Sequence, residues 1–276
     1  MKLGFNTSCT LPSTIEAEIP AIAAAGFGWV ELRTPELREY LGASSLASLR
    51  RLLDAAGVRV GSINALEFVS FRGEQYERVR EECVELCTWA AALGCEYVIA
   101  VPSPSPSHAT TWPEIRGESI DVLCDLGSIA AAHGVRLAFE PLGFGWCSVR
   151  TVAGALEILA AVGPRPVGLV LDLFHFALGG SRLQELDRIA PEQLAIIHVD
   201  DVVQGTNEAT TDADRLFPGE GDLPLEAICR PLVARGFEGL FSLELFRPEY
   251  WQWEPLRVAE RGYATLAAIA ERAAAG

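Results

Sequence analysis

A closed (β/α)8 barrel, the TIM-type α/β fold, is the architecture this sequence predicts, on three observations. Eight short apolar segments alternate with stretches of helical periodicity. The chain allots about 35 residues (276/8) to each pair, enough for a strand, a helix and their loops. The apolar segments also run continuously, as in Val167-Gly-Leu-Val-Leu-Asp172, which marks parallel strands covered on both faces. The rival is a doubly wound sheet, which normally has fewer strands and often a glycine-rich fingerprint after the first. Gly4-Phe5-Asn6-Thr7 offers none, and no Gly-Lys-Ser or Gly-Lys-Thr follows Gly219-Glu220-Gly221.

In chain order, Lys2 to Asn6 is the first strand, and Ser13 or Thr14 caps a helix that stops at Gly26. Gly28 to Arg33 is the second strand, followed by a polar stretch. Ser45 to Ala56 carries Leu46, Leu49, Leu52 and Leu53 on one stripe and ends at Gly57. Val58 to Asn64 is the third strand, Glu74 to Leu93 an amphipathic helix, and Tyr97 to Val101 the fourth strand. Pro102-Ser-Pro-Ser-Pro-Ser107 can be neither strand nor helix interior, and reads as a surface loop. Trp112 to Ala132 is helical and Val135 to Glu140 the fifth strand. A helix opened by Ser148 or Thr151 runs to Val162 and is stopped by Gly163-Pro164. Strands six to eight are Val167 to Asp172, Leu194 to Val199 and Leu240 to Leu245. Between them lie short helices at Leu183 to Ile189 and Leu225 to Arg235, and a last helix spans Pro255 to Ala275. The polar loop from Asp200 to Asp222 is long enough to suggest function.

Half of the residues are hydrophobic and evenly spread, so one domain over residues 1–276 is expected. No apolar run reaches the length of a membrane span, and the N-terminus turns polar before a signal-peptide core could form. A cytoplasmic protein is expected. The net charge of −15 argues against nucleic acid or an anionic membrane as partner and favours a neutral small molecule. Seven scattered cysteines without a CxxC read as buried thiols in a reducing compartment, with Cys83 and Cys87 on one helix face. Oligomeric state is open, a homodimer being among the expectations.

In a barrel, the C-terminal strand ends share one mouth. Glu140, Asp172, His198 and Glu244 each end a strand and therefore converge. Three carboxylates and an imidazole suit one divalent ion: Mn, Zn, Co or Mg. Any one of the four has a bland alternative: a solvated glutamate, a core histidine, an aspartate that caps a turn. Burying all four without a counter-ion is improbable. His175, one turn past Asp172, could donate to a substrate hydroxyl, and Arg215 could cover the mouth or be a surface charge. Glu31, Arg33, Asn64 and Glu67 lie near other strand ends; Trp146, Trp251 and Trp253 could wall a sugar-like ligand or simply pack.

With these residues in place, the chain resembles the xylose-isomerase-like TIM barrels, and among them the inosose isomerases of bacterial inositol catabolism. The likeness runs through Val30-Glu-Leu-Arg-Thr34, Ile63-Asn-Ala-Leu66 and Gly168-Leu-Val-Leu-Asp-Leu-Phe-His-Phe176. It continues through Ile197-His-Val-Asp-Asp201, Thr211-Asp-Ala-Asp-Arg-Leu-Phe-Pro-Gly-Glu-Gly221 and Ser242-Leu-Glu-Leu-Phe-Arg-Pro-Glu-Tyr250. The resemblance implies that Glu140, Asp172, His198 and Glu244 bind one divalent metal and that His175 and Arg215 contact substrate. It also implies a small polyol or keto-cyclitol substrate, isomerised through a metal-stabilised enediolate with Glu140 and Glu244 exchanging protons. Ketose 3-epimerisation and dehydration are alternatives on the same ligand set, and a non-catalytic polyol-binding module is a further one. Phosphodiester hydrolysis at abasic DNA, known from barrels of related architecture, fits poorly with four histidines and an acidic chain. Pro141-Leu-Gly-Phe-Gly-Trp146 looks more apolar than its counterpart in the inosose isomerases.

Overall fold

The structure, a computed structural model, describes residues 1–163, 167–203, 205, 207 and 209–275. Pro164, read as part of a helix stop, lies outside the described residues, as do Gln204, Thr206 and Glu208 of the long loop. Eight parallel strands close into a barrel in chain order: β1 (Lys2–Asn6), β2 (Trp29–Arg33), β3 (Arg59–Leu66), β4 (Tyr97–Ala100), β5 (Arg136–Phe139), β6 (Val167–Asp172), β7 (Leu194–Val199) and β8 (Leu240–Leu243). The barrel is completed where β8 pairs with β1, Leu3 opposite Phe241.

Outside the strands lie α1 (Ile15–Ala25), α2 (Thr34–Ala43), α3 (Leu46–Ala56), α4 (Tyr76–Leu93), α5 (Trp112–Ala132), α6 (Val152–Val162), α8 (Leu225–Ala234) and α9 (Pro255–Ala274), with a short α7 (Leu173–Leu178) directly after β6. Local chemistry explains their ends. Thr151 accepts from the backbone N–H of Gly154 at the start of α6, and Thr111 and Glu114 form a reciprocal capping box at α5. At the start of α1, Thr14 occupies the capping position without a side-chain bond. Two helices depart from the sequence reading. The polar stretch after β2 is α2, which buries only Thr34 and Leu37 and so shows little apolar periodicity. The chain also turns helical immediately after Asp172, because that carboxylate accepts from the backbone N–H of His175 at 2.6 Å.

One core lies between strands and helices; a second fills the barrel, where Ile99, Ala138, Val170, Ile196 and Leu240 pack together. Leu240 leaves no room for side chains opposite it. A Cβ on Gly4 or Gly61 would fall 2.8 or 2.7 Å from its methyl groups. All seven cysteines are free thiols and only Cys124 is exposed; the sulfurs of Cys83 and Cys87 lie 4.0 Å apart on α4. Among the described residues, no helix is long and apolar enough to cross a membrane.

Candidate metal centre

Parallel register brings the strand-end residues to one level. Asp172 pairs with His198 across β6 and β7, and His198 with Ser242 across β7 and β8. Glu140 and Glu244 lie one residue past the ends of β5 and β8. One ligand atom from each of Glu140, Asp172, His198 and Glu244 falls within 4.8 Å of all the others, and all four residues are buried. The Nδ1 of His198 is 3.0 Å from Glu140, 3.2 Å from Glu244 and 3.8 Å from Asp172.

The imidazole is aimed from behind. Its Nε2 lies 3.2 Å from Glu31, a fully buried carboxylate on β2 that also accepts from the Ser62 hydroxyl at 2.6 Å. Burial opposes the charge of Glu31, but His198 and the hydroxyls of Ser242 and Ser62 outweigh it and hold the carboxyl below its ordinary range. Burial also opposes protonation of His198, yet Glu244, Glu31 and Glu140 together push it well above the usual imidazole value. A protonated ring is thus the positive charge that this carboxylate cluster demands. A divalent cation answers the same demand, and three carboxylate oxygens with one imidazole nitrogen form a set that fits it.

The carboxylates are held unequally. One oxygen of Glu244 accepts amide N–H groups from Asn6 at 2.8 Å and Asn64 at 2.7 Å. Among the described residues Glu140 has no such amide anchors, and burial raises it to about 7 against the opposing pull of His198. Burial would raise Asp172 too, but Arg215, His175 and His198 hold it well below the carboxylate range. Asp172 does cap the following turn through Oδ1, and joins the cluster as well, its Oδ2 lying towards both His198 and Arg215.

Arg215 is not a surface charge; it is 1% exposed. Its Nη1 lies 2.5 Å from Asp172, 3.4 Å from Glu244 and against Asp200, while Nε donates to Asp212 at 3.0 Å. Its Nη2 lies 3.0 Å from Asp212 and 3.2 Å from Nε2 of His175. The N–H fork is thus spent on protein acceptors. Because His175 Nε2 receives that bond, its proton is assigned to Nδ1, a buried atom with no hydrogen-bond partner among the described residues. Burial keeps the ring neutral, lowering it against the pull of Asp172.

Above the cluster opens a cavity of about 380 Å3, lined among others by Arg33, Asn64, Glu67, Trp146, His175 and Arg215. Trp251 and Trp253 do not line it. The first donates its indole N–H to the Ser8 carbonyl, and the second packs on Phe217 and Tyr250. The sequence reading missed Asn6, Asp200 and Ser62. Asn6 ends β1 as Asn64 lies near the end of β3, so the strand-end rule that found the ligands could have found it too.

A family model described as xylose isomerase-like TIM barrel matches residues 19–269. The chain is 35% identical to the inosose isomerase of Halalkalibacterium halodurans over 255 residues, 91% of this chain and 90% of that protein. The Bacillus subtilis inosose isomerase is also 35% identical, with 91% of each chain covered. A solved structure described as IolI protein with a binding zinc atom superposes with a TM-score of 0.93 at 33% identity, covering 98% of both chains. With the family match spanning most of the chain and relatives more than a third identical along nearly their whole length, the chain belongs to the xylose isomerase-like TIM barrel family.

Proposed function

We propose that this chain is a divalent-metal-dependent isomerase that interconverts 2-keto-myo-inositol (inosose) and 1-keto-D-chiro-inositol. The observation that carries the reading is the buried Glu140, Asp172, His198 and Glu244 cluster at the mouth of a barrel whose relatives are inosose isomerases. Those four side chains would hold the ion, and zinc is the first to test because the IolI protein was solved with it. What a bound divalent cation supplies is Lewis acidity towards the two adjacent oxygens of an α-hydroxyketone, which makes the carbinol C–H acidic.

The protein's own groups do the rest. Glu140 and Glu244 exchange the carbon-bound protons, one taking the carbinol hydrogen and one returning a proton to the former carbonyl carbon. Glu140 has the greater freedom to do so, since Glu244 is fixed by the amides of Asn6 and Asn64. His175 lines the cavity, and its Nδ1–H, without a partner among the described residues, would be the donor to a substrate oxygen that reaches it. Arg215 holds Asp172 and His175 in place with bonds of 2.5 and 3.2 Å, and it also lines the cavity in which substrate would sit.

The test is incubation of inosose with zinc-loaded protein in deuterated water, followed by NMR. The expected result is 1-keto-D-chiro-inositol with deuterium at the former carbonyl carbon. Epimerisation at one carbon, loss of water, or binding without turnover would each overturn the reading in favour of a different activity.

A further inference from the structure

We infer that Trp146 and Phe68 form an apolar wall that makes the cavity select a ring-shaped polyol over an open-chain one. The inference rests on the isomerase reading above and assigns residues by which its cavity would prefer a ring. Both side chains line the cavity over the metal cluster, and both leave large apolar surfaces in solvent, 52% of Trp146 and 51% of Phe68. Neither position is casual. Phe68 has φ +65, a left-handed backbone that a bulky residue adopts only under constraint from its surroundings. Trp146 is stacked on Phe144 at 5.5 Å and 14°, and Phe144 meets the His175 ring edge-on at 5.0 Å and 77°. A continuous series of rings therefore runs from a substrate-facing histidine to the rim.

Arg33, Asn64, Glu140 and Glu244 present charge and hydrogen-bonding atoms to the same space, while Leu142, Phe144 and Phe246 add to its apolar lining. The cavity thus combines polar groups, with Glu140 and Glu244 in the buried cluster beneath it, and aromatic surface from Phe68, Phe144, Trp146 and Phe246. A cyclitol with mostly equatorial hydroxyls matches that combination, because its oxygens lie around the edge while its two faces present axial C–H groups. Those hydrogens suit the negative face of an aromatic ring. An open-chain polyol turns hydroxyls in every direction, and some would lose their water against the rings without gaining a partner.

The experiment compares myo-inositol with D-mannitol, two unreactive polyols of six carbons and six hydroxyls, by calorimetry on the full zinc-loaded chain. The wild type should bind the cyclitol more tightly, by about tenfold, a size typical of aromatic contacts. Trp146→Ala and Phe68→Ala should each erase most of that preference while leaving hexitol and zinc affinity unchanged, and Trp146→Phe should restore part of it. Equal affinity for both polyols, no measurable cyclitol binding, or a preference that survives both alanine substitutions overturns the inference. Inosose turnover by the wild type is scored separately. Turnover without a ring preference removes the wall and keeps the isomerase; a ring preference without turnover does the reverse.

Discussion

Glu31 stands 3.2 Å from the Nε2 of His198, on the opposite side of the ring from the nitrogen that faces Glu140, Asp172 and Glu244. The two nitrogens have separate tasks. Nε2–H donates to Glu31, which leaves Nδ1 as the lone pair offered to a cation once the ring is neutral. Glu31→Ala should weaken zinc binding roughly 10- to 100-fold in a chelator competition. Glu31→Gln, which keeps an acceptor, should lose less. Equal affinity in all three proteins would remove Glu31 from the metal centre.

Loss of the proton-transfer group should separate chemistry from binding. Glu140→Gln keeps an oxygen near the cluster but removes the exchangeable carboxyl, so turnover of inosose should fall roughly 100- to 10,000-fold. Metal occupancy, measured by elemental analysis on the same sample, tells whether the loss is chemical. An active, fully loaded Glu140→Gln protein would exclude Glu140 from proton transfer.

The cluster also predicts metal-linked stability. The three buried carboxylates repel one another, Glu244 and Asp172 both opposing ionisation of Glu140, and an ion that binds only the assembled cluster should favour the folded state. At a free concentration about 100 times its Kd, the gain is about 2.7 kcal/mol. Thermal unfolding followed with zinc and with excess chelator should differ by several degrees. Superimposable curves would mean that the four residues do not bind the ion in the native state.

How much of this could be read in the sequence depended on whether a signal was local. Glu140, Asp172, His198 and Glu244 were legible because each follows an apolar strand, and the barrel supplies the convergence. Arg215 was ambiguous because a guanidinium in a polar loop looks solvated, and only the fold shows it between Asp172, Asp200 and Asp212. Asp200 was hidden in the same way, beside Asp201 at the start of an acidic loop, although it is fully buried. Helix α2 escaped because a helix that buries only two residues has almost no periodic signature. The aromatic wall was half visible: Trp146 stood out by its chemistry, but nothing in Phe68 announces a left-handed backbone.

The barrel interior gives a packing prediction. Because a Cβ on Gly61 would fall 2.7 Å from Leu240, Gly61→Ala forces the leucine to move within a filled core. The expected loss is about 1–3 kcal/mol in chemical denaturation. If Leu240→Ala in the same chain recovers part of that loss, the clash is the cause. A fully additive double substitution would locate the damage elsewhere.

Glu18 supplies a pH dependence away from the metal cluster. It sits in the first turn of α1 but is 1% exposed, accepting one bond from the Thr10 hydroxyl at 2.6 Å and leaving its other oxygen unpartnered among the described residues. Burial, reinforced by Glu36 and only partly offset by Thr10 and Arg33, raises the carboxyl from 4.5 to about 8. Between those two values the native state holds a proton that the unfolded chain has released. Its contribution to stability is therefore full below about pH 4.5, declines as pH rises and is lost above about pH 8. Glu18→Gln keeps the shape and an acceptor for Thr10 but never ionises. Relative to wild type, it should gain stability steadily from pH 5 to about pH 8, as read from paired urea unfolding curves. A constant difference between the two proteins across that range would show that Glu18 is already ionised in the fold.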